Sequence, residues 1–182
     1  MKFKLANIDD DFDETVFRNA VANDLRKFDE EASYSFTDIQ IIFVAMIIDL
    51  SSLFPNNLLE YLDVAIKNRL GEVSDDIRAE KRNELKKIID SKNCPRDIYI
   101  RGWLIYLYLW TLEEYMQTRD ADTYRYAEHL EYFEELDPDI YIDLDQICFS
   151  YYYDKKNKIN PLIQLSHKLT ERMEAQPASQ NQ

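Results

Sequence analysis

The sequence predicts an all-α fold: a single-domain bundle or helical-hairpin array of seven to eight helices, with room for a short strand. Three observations lead there. Glycine is confined to Gly71 and Gly102 in 182 residues, whereas hairpins and sandwiches need it at positive-φ turn positions. Apolar residues recur at helical spacing along most of the chain. Two stretches, Ile41 to Ile48 and Trp103 to Leu112, are apolar on nearly every face, so each must be surrounded by other elements. A hydrophobic share of 46% supplies enough apolar mass for one core. The expected organisation is one helical domain over residues 1–175 and a polar, disordered tail over 176–182.

A first helix is expected from Asp13 to Phe28, with Val16, Phe17, Ala20, Val21 and Leu25 on one face. A second begins after Thr37 and is ended by Pro55. Asn56 or Asn57 then caps a third, which Gly71 stops at the position just past the helix end. Ser74 caps a fourth, Asp75 to Lys92, with acids in its first turn and lysines late, as the helix dipole prefers. Beyond Pro95 a fifth is expected from Asp97 to Thr118. Asp122 or Thr123 opens a sixth that ends at Leu136, Pro138 starts a seventh, and the Asn160-Pro161 pair starts an eighth that runs to Glu174. Lys2 to Leu5 and Ile140 to Asp145 alternate in polarity, and either suits a short strand.

Met1 to Asp11 opens with lysines but has no apolar run before the acids begin, so no secretory signal is expected. The two apolar stretches fall well short of the ~20 residues a bilayer requires. Cys94 and Cys148 form no paired motif and are expected as reduced thiols. A soluble, cytoplasmic protein is expected.

Charge is the most informative feature. With 35 acids against 22 bases the net charge is −13, which disfavours nucleic acid and anionic membranes as partners. From Thr111 to Asp145 twelve acids face only Arg119 and Arg125, a net of −10 in 35 residues. Asp9 to Glu31 adds −6, and Lys67 to Arg101 reverses the balance to +3. Lys81, Arg82, Lys86 and Lys87 are expected on the outer face of the fourth helix. Tyrosines travel with the acidic block. On the sixth helix Ala127, Leu130 and Phe133 can face the core, while Tyr124, Glu128, Glu131 and Glu135 form an outward stripe with Tyr132 beside it. Like charges four apart on a helix repel by about a few tenths of a kcal/mol each. A block kept without interleaved lysine suggests compensation by a cationic partner, and tyrosine is favoured at such contacts. The candidate partner-binding residues are therefore Tyr124, Glu128, Glu131, Tyr132, Glu135, Asp139 and Asp143.

Catalytic patterns are sparse. His129 and His167 are the two histidines, and neither follows a Glu at the ExxH spacing of helical di-iron sites. Asp9, Asp11 and Asp13 imitate an EF-hand start, but Glu14 and Ala20 occupy the positions that need Gly and Glu. No phosphate-binding glycine loop and no nucleophile elbow are present. No cofactor and no catalytic residue are expected.

In size, charge and composition the chain resembles the immunity proteins of bacterial toxin systems, including those of contact-dependent growth inhibition. The resemblance implies a cognate toxin domain, most often a basic nuclease, whose positive surface the acidic face would cover. A second pattern, Glu113-Glu114-Tyr115-Met116-Gln117 with Glu134-Glu135-Leu136-Asp137, resembles the EExxE…ExxD signature of all-α, magnesium-dependent nucleoside triphosphate pyrophosphohydrolases. It covers nine positions, with Gln117 where that family carries a metal-ligating carboxylate. It implies Glu113, Glu114, Glu134 and Asp137 as metal ligands.

Overall fold

The computed structural model describes residues 3–4, 36–110, 132–133, 135–137 and 141–175. Among these residues the fold is predominantly helical. Six α-helices are described: α1 Phe36–Asp49, α2 Asn56–Arg69, α3 Asp75–Ile89, α4 Arg96–Tyr106, α5 Leu144–Lys156 and α6 Pro161–Ala175. Short 3-10 turns follow α1 (Ser51–Leu53) and α4 (Leu107–Leu109). β1 (Phe3–Lys4) and β2 (Tyr141–Ile142) pair antiparallel, Phe3 opposite Ile142 and Lys4 opposite Tyr141, so the two alternating segments find each other. The expected first helix lies outside the described residues. Of the sixth, residues 132–133 and 135–136 are described, and all four are helical.

The chain divides into two compact units, one of residues 1–46 and 117–161, the other of residues 47–116 and 162–182. In the first, β1 and β2 pair, and α5 buries Ile147, Cys148 and Tyr151 on one face. In the second, α2, α3 and α4 pack against one another, with the 3-10 turn after α4 against α2 and α3. Ile41 to Ile48 is buried as expected, whereas of Trp103 to Leu112 the two tryptophans are half-buried and Thr111 and Leu112 lie outside the described residues. From Ile41 to Ile48 only Ala45 is half-exposed, and Leu104 to Leu109 are all buried.

Several helix ends differ from the sequence expectation, each for a physical reason. α1 stops at Asp49 rather than at Pro55. The chain tightens into i→i+3 bonds, Leu53 N–H to the Leu50 carbonyl and Phe54 N–H to that of Ser51. Pro55 acts on the residue before it, holding Phe54 extended, and itself stands at the cap position of α2. Neither Asn56 nor Asn57 caps α2. The Asn56 amide instead donates to the Met173 carbonyl of α6 at 2.9 Å, closing one of that helix's open C-terminal acceptors. Ser74 does cap α3, its Oγ accepting from the Ile77 N–H. That helix ends at Ile89 rather than Lys92, because the chain turns through Cys94 N–H to the Ser91 carbonyl ahead of Pro95.

The largest correction concerns the fifth expected helix. Its α-helical part ends at Tyr106 and its last turn at Leu109, with Trp110 extended (φ −91°, ψ 143°), not at Thr118. The Leu109 carbonyl, which a continuing helix would present to the residue four ahead, receives the buried Arg78 guanidinium at 2.5 Å. The Arg82 guanidinium lies 4.3 Å from the Trp110 ring centroid. Two arginines of α3 thus terminate α4, a tertiary effect overriding local propensity. The seventh expected helix also starts late. Tyr141–Ile142 is held in the strand pair, and α5 begins at Leu144 under the Asp143 cap.

Two helix ends share one geometry at different cost. After α2, Gly71 (φ +77°) donates to the Asn68 carbonyl and Glu72 to that of Lys67, the paired bonds of a Schellman ending. After α5 the same pair forms from Lys158 to Lys155 and from Ile159 to Asp154, but here Lys158 holds φ +57°, where a Cβ is strained. Lys158→Gly is therefore expected to stabilise the chain by about 0.5–1 kcal/mol. Urea unfolding checks this; a loss of stability would show that the lysine side chain contributes more than its backbone strain costs.

Candidate functional site

The acidic face is described at its C-terminal edge. Phe133 is fully buried and Glu135 is exposed, two positions apart on one helical turn, matching the inward and outward faces read from spacing. Tyr132 and Asp137 are half-buried, and the Asp137 N–H donates to the Phe133 carbonyl at 3.1 Å. Asp143 is exposed and its Oδ1 accepts from the Gln146 N–H at 3.1 Å. A carboxylate there satisfies an open donor and meets the positive end of the α5 dipole, so Asp143 holds the helix start while still facing water. Tyr124, Glu128, Glu131 and Asp139 lie outside the described residues, as do Glu113, Glu114 and Glu134 of the alternative metal set. Among the described residues no group of three or more His, Cys, Asp or Glu side chains could hold a metal ion.

The basic middle is arranged differently from the expectation of an outer face. Lys87 is exposed, but Lys81, Arg82 and Lys86 are half-buried against rings. Four aromatic residues on α4 and just beyond, Tyr99, Trp103, Tyr106 and Trp110, stand edge to face in series, with centroids 6.2, 5.1 and 6.0 Å apart. Cations cover the series: Arg96 at 5.2 Å from Tyr99, Lys86 at 5.2 Å from Trp103 and 5.9 Å from Tyr106, and Arg82 on Trp110. Lys81 lies 5.9 Å from the Tyr61 ring. Each such contact contributes about 0.5–1 kcal/mol. The lysines also meet carboxylates of their own helix, Lys81 with Glu84 at 2.7 Å and Lys86 with Asp90 at 2.6 Å. The hydrogen bond to Glu84 raises the Lys81 pKa, and burial, aided by Glu84, raises that of Tyr61. Lys86 and Arg82 thus serve the packing of α3 on α4 and the residues just beyond it, and Lys81 that of α3 on α2. Charge and spacing in the sequence could show the cations but not the rings they cover.

In the first unit, Asp38 is buried, accepting from the Tyr151 hydroxyl and, at 2.8 Å, from Lys155 Nζ. Pairing and hydrogen bonding together make a buried carboxylate tolerable. On the outer face of α3, Asp76, Glu80, Asn83, Glu84 and Lys87 line an open depression.

The residues that sequence reasoning passed over are on α5. Opposite its buried face, Gln146, Phe149, Ser150, Tyr153 and Asn157 continue from the expected Asp143 as an exposed stripe at helical spacing. Phe149 is 45% and Tyr153 53% exposed. The available signal was the period of Ile147, Cys148 and Tyr151, which places Phe149 and Tyr153 on the far side. Cys94 and Cys148 both remain thiols, and burial followed by the Asp97 charge raises the Cys94 pKa. Among the described residues no helix is long and apolar enough to cross a membrane. Comparison with protein-family models, with curated proteins and with solved structures yields no match.

Proposed function

We propose that the chain is an immunity protein, a binding inhibitor that neutralises a cognate bacterial toxin in the cytoplasm. The toxin is a basic nuclease, and its positive active-site surface is covered by the acidic, tyrosine-rich face that includes Tyr124, Glu128, Glu131, Tyr132, Glu135, Asp139 and Asp143. The observation that carries the reading is the −10 charge of residues 111–145, with Glu135 and Asp143 exposed at its described edge. The cations of the middle segment are engaged at home: Lys67 with Asp63, Arg78 with Asp75, Lys81 with Glu84, Lys86 with Asp90 and Arg101 with Asp97. A nuclease must present positive charge to its own substrate, so an acidic inhibitor is steered to that surface and competes for it. No chemistry is required of the inhibitor, only a surface that matches.

Co-expression with the toxin encoded beside it, followed by titration of the purified pair at low and physiological salt, tests the proposal. Protection of cells and tight binding whose association rate falls steeply with salt are expected. Magnesium-dependent release of pyrophosphate from nucleoside triphosphates, without protection, would overturn it in favour of the carboxylate pattern shared by Glu113, Glu114, Glu134 and Asp137.

A further inference from the structure

We infer that Arg78 is a positioning residue for the acidic block: its buried guanidinium holds a break at Leu109–Trp110 and so sets the direction in which the chain enters residues 111–145; the inference rests on the acidic-face reading above. An arginine only 4% exposed is costly to bury, so its partners indicate its task. Nη1 donates to the Leu109 carbonyl at 2.5 Å, and Nε donates to Asp75 Oδ1 at 3.4 Å. Asp75 Oδ1 also accepts from the Asn68 amide at 3.1 Å. The last turn of α2, the first turn of α3 and the end of α4 are thus tied through one side chain.

The break is imposed on the local sequence from outside it. No Gly or Pro stands between Trp103 and Asp137, and Leu112, Glu113, Glu114, Met116 and Gln117 are all strong helix formers. In a continuing helix the Leu109 carbonyl would accept from the N–H four residues on; Arg78 meets it instead. Trp110, with the Arg82 guanidinium over its ring, is extended at ψ 143°, whereas a helix needs about −42°. That difference is about half a turn around one bond, so it redirects every residue that follows. The first acids of the block, Glu113 and Glu114, come directly after it in the chain. A local preference overruled by a buried charge marks a functional or strained site. A surface that must match a partner gains affinity when its geometry is fixed before contact, and Arg78 fixes the point from which this one departs.

Isotopic labelling of tryptophan Cα in the full chain reads the break by nuclear magnetic resonance without any partner. In the native chain Trp103 should give a helical shift and Trp110 an extended one; in Arg78→Met both should be helical, because the Leu109 carbonyl returns to the helix. Titration with the toxin encoded beside the chain should then show at least a roughly tenfold loss of affinity for Arg78→Met at a temperature where it is folded. Ile89→Ala, at a buried position of the same helix, also lowers stability but should change neither the Trp110 shift nor the toxin affinity. Arg78→Lys keeps a cation and one donor and should recover most of both. Should Arg78→Met fail to fold, Arg78→Gln, whose tip is too short to reach the carbonyl, takes its place. A Trp110 shift that stays extended without Arg78, a toxin affinity equal to that of the native chain, or an equal loss in Ile89→Ala would overturn the positioning role and leave the acidic-face reading standing. Failure of the native chain to bind the toxin would overturn both.

Discussion

Gly102→Ala is expected to destabilise the chain by about 1–3 kcal/mol, the cost of overpacking a closed core. The sign is opposite to the usual one. A glycine inside a helix ordinarily costs about 0.5–1 kcal/mol relative to alanine, so its replacement generally stabilises. Here a Cβ on Gly102 would stand 2.4 Å from Ile89 Cγ2 and 3.6 Å from Leu85 Cδ1. Ile89 is 2% exposed, and its branched Cβ has one strongly preferred χ1 rotamer in a helix, so the methyl cannot swing aside. Either α3 and α4 separate or a side chain leaves its rotamer. Gly102→Val should be worse still. Urea unfolding measures the effect, and a double-mutant cycle with Ile89→Ala identifies its cause. Ile89→Ala alone should cost about 2–4 kcal/mol as a cavity, yet added to Gly102→Ala it should cost at least ~1 kcal/mol less, because each change relieves the other. Unchanged or raised stability for Gly102→Ala would mean that α3 and α4 have slack at their crossing.

That crossing also explains what could be read from the chain alone. The burial of Ile41 to Ile48 and of Leu104 to Leu109 followed directly from composition, because an element without a polar face admits no exposed solution. Caps were legible where the donor and acceptor lie within four residues, as at Ser74 and Gly71. They were not legible where a distant element sets the outcome. Nothing near Trp110 indicates that Arg78 and Arg82 will end its helix, and nothing near Asn56 indicates that its amide will serve Met173. The candidate face divides in the same way. Phe133 inward and Glu135 outward follow from spacing. Phe149 and Tyr153 could be sorted from the core tyrosines only once the buried side of α5 was known. The same holds for the lysines of α3, whose charge is plain in the sequence and whose aromatic cover is not.

Reversing Glu128, Glu131 and Glu135 together to Lys should weaken toxin binding by about 3–5 kcal/mol, a loss of at least a hundredfold. Glu135 is exposed, and by spacing Glu128 and Glu131 share its outward stripe, so the fold should survive. The substitution changes the net charge from −13 to −7, and a global loss of steering would itself slow association. A control variant separates that from a local clash: Glu72, Glu80 and Glu171, all exposed, reversed to Lys change the total charge equally but lie outside the acidic block. The control should lower the association rate modestly, with the loss shrinking as salt is added. The stripe variant should also dissociate faster and should keep that defect at physiological salt, because like charges then meet within the contact and desolvated charge is screened little. Cells carrying the toxin should survive with the control and die with the stripe variant. If the two variants bind alike, total charge rather than the stripe governs the encounter, and the contact belongs on another face of the molecule.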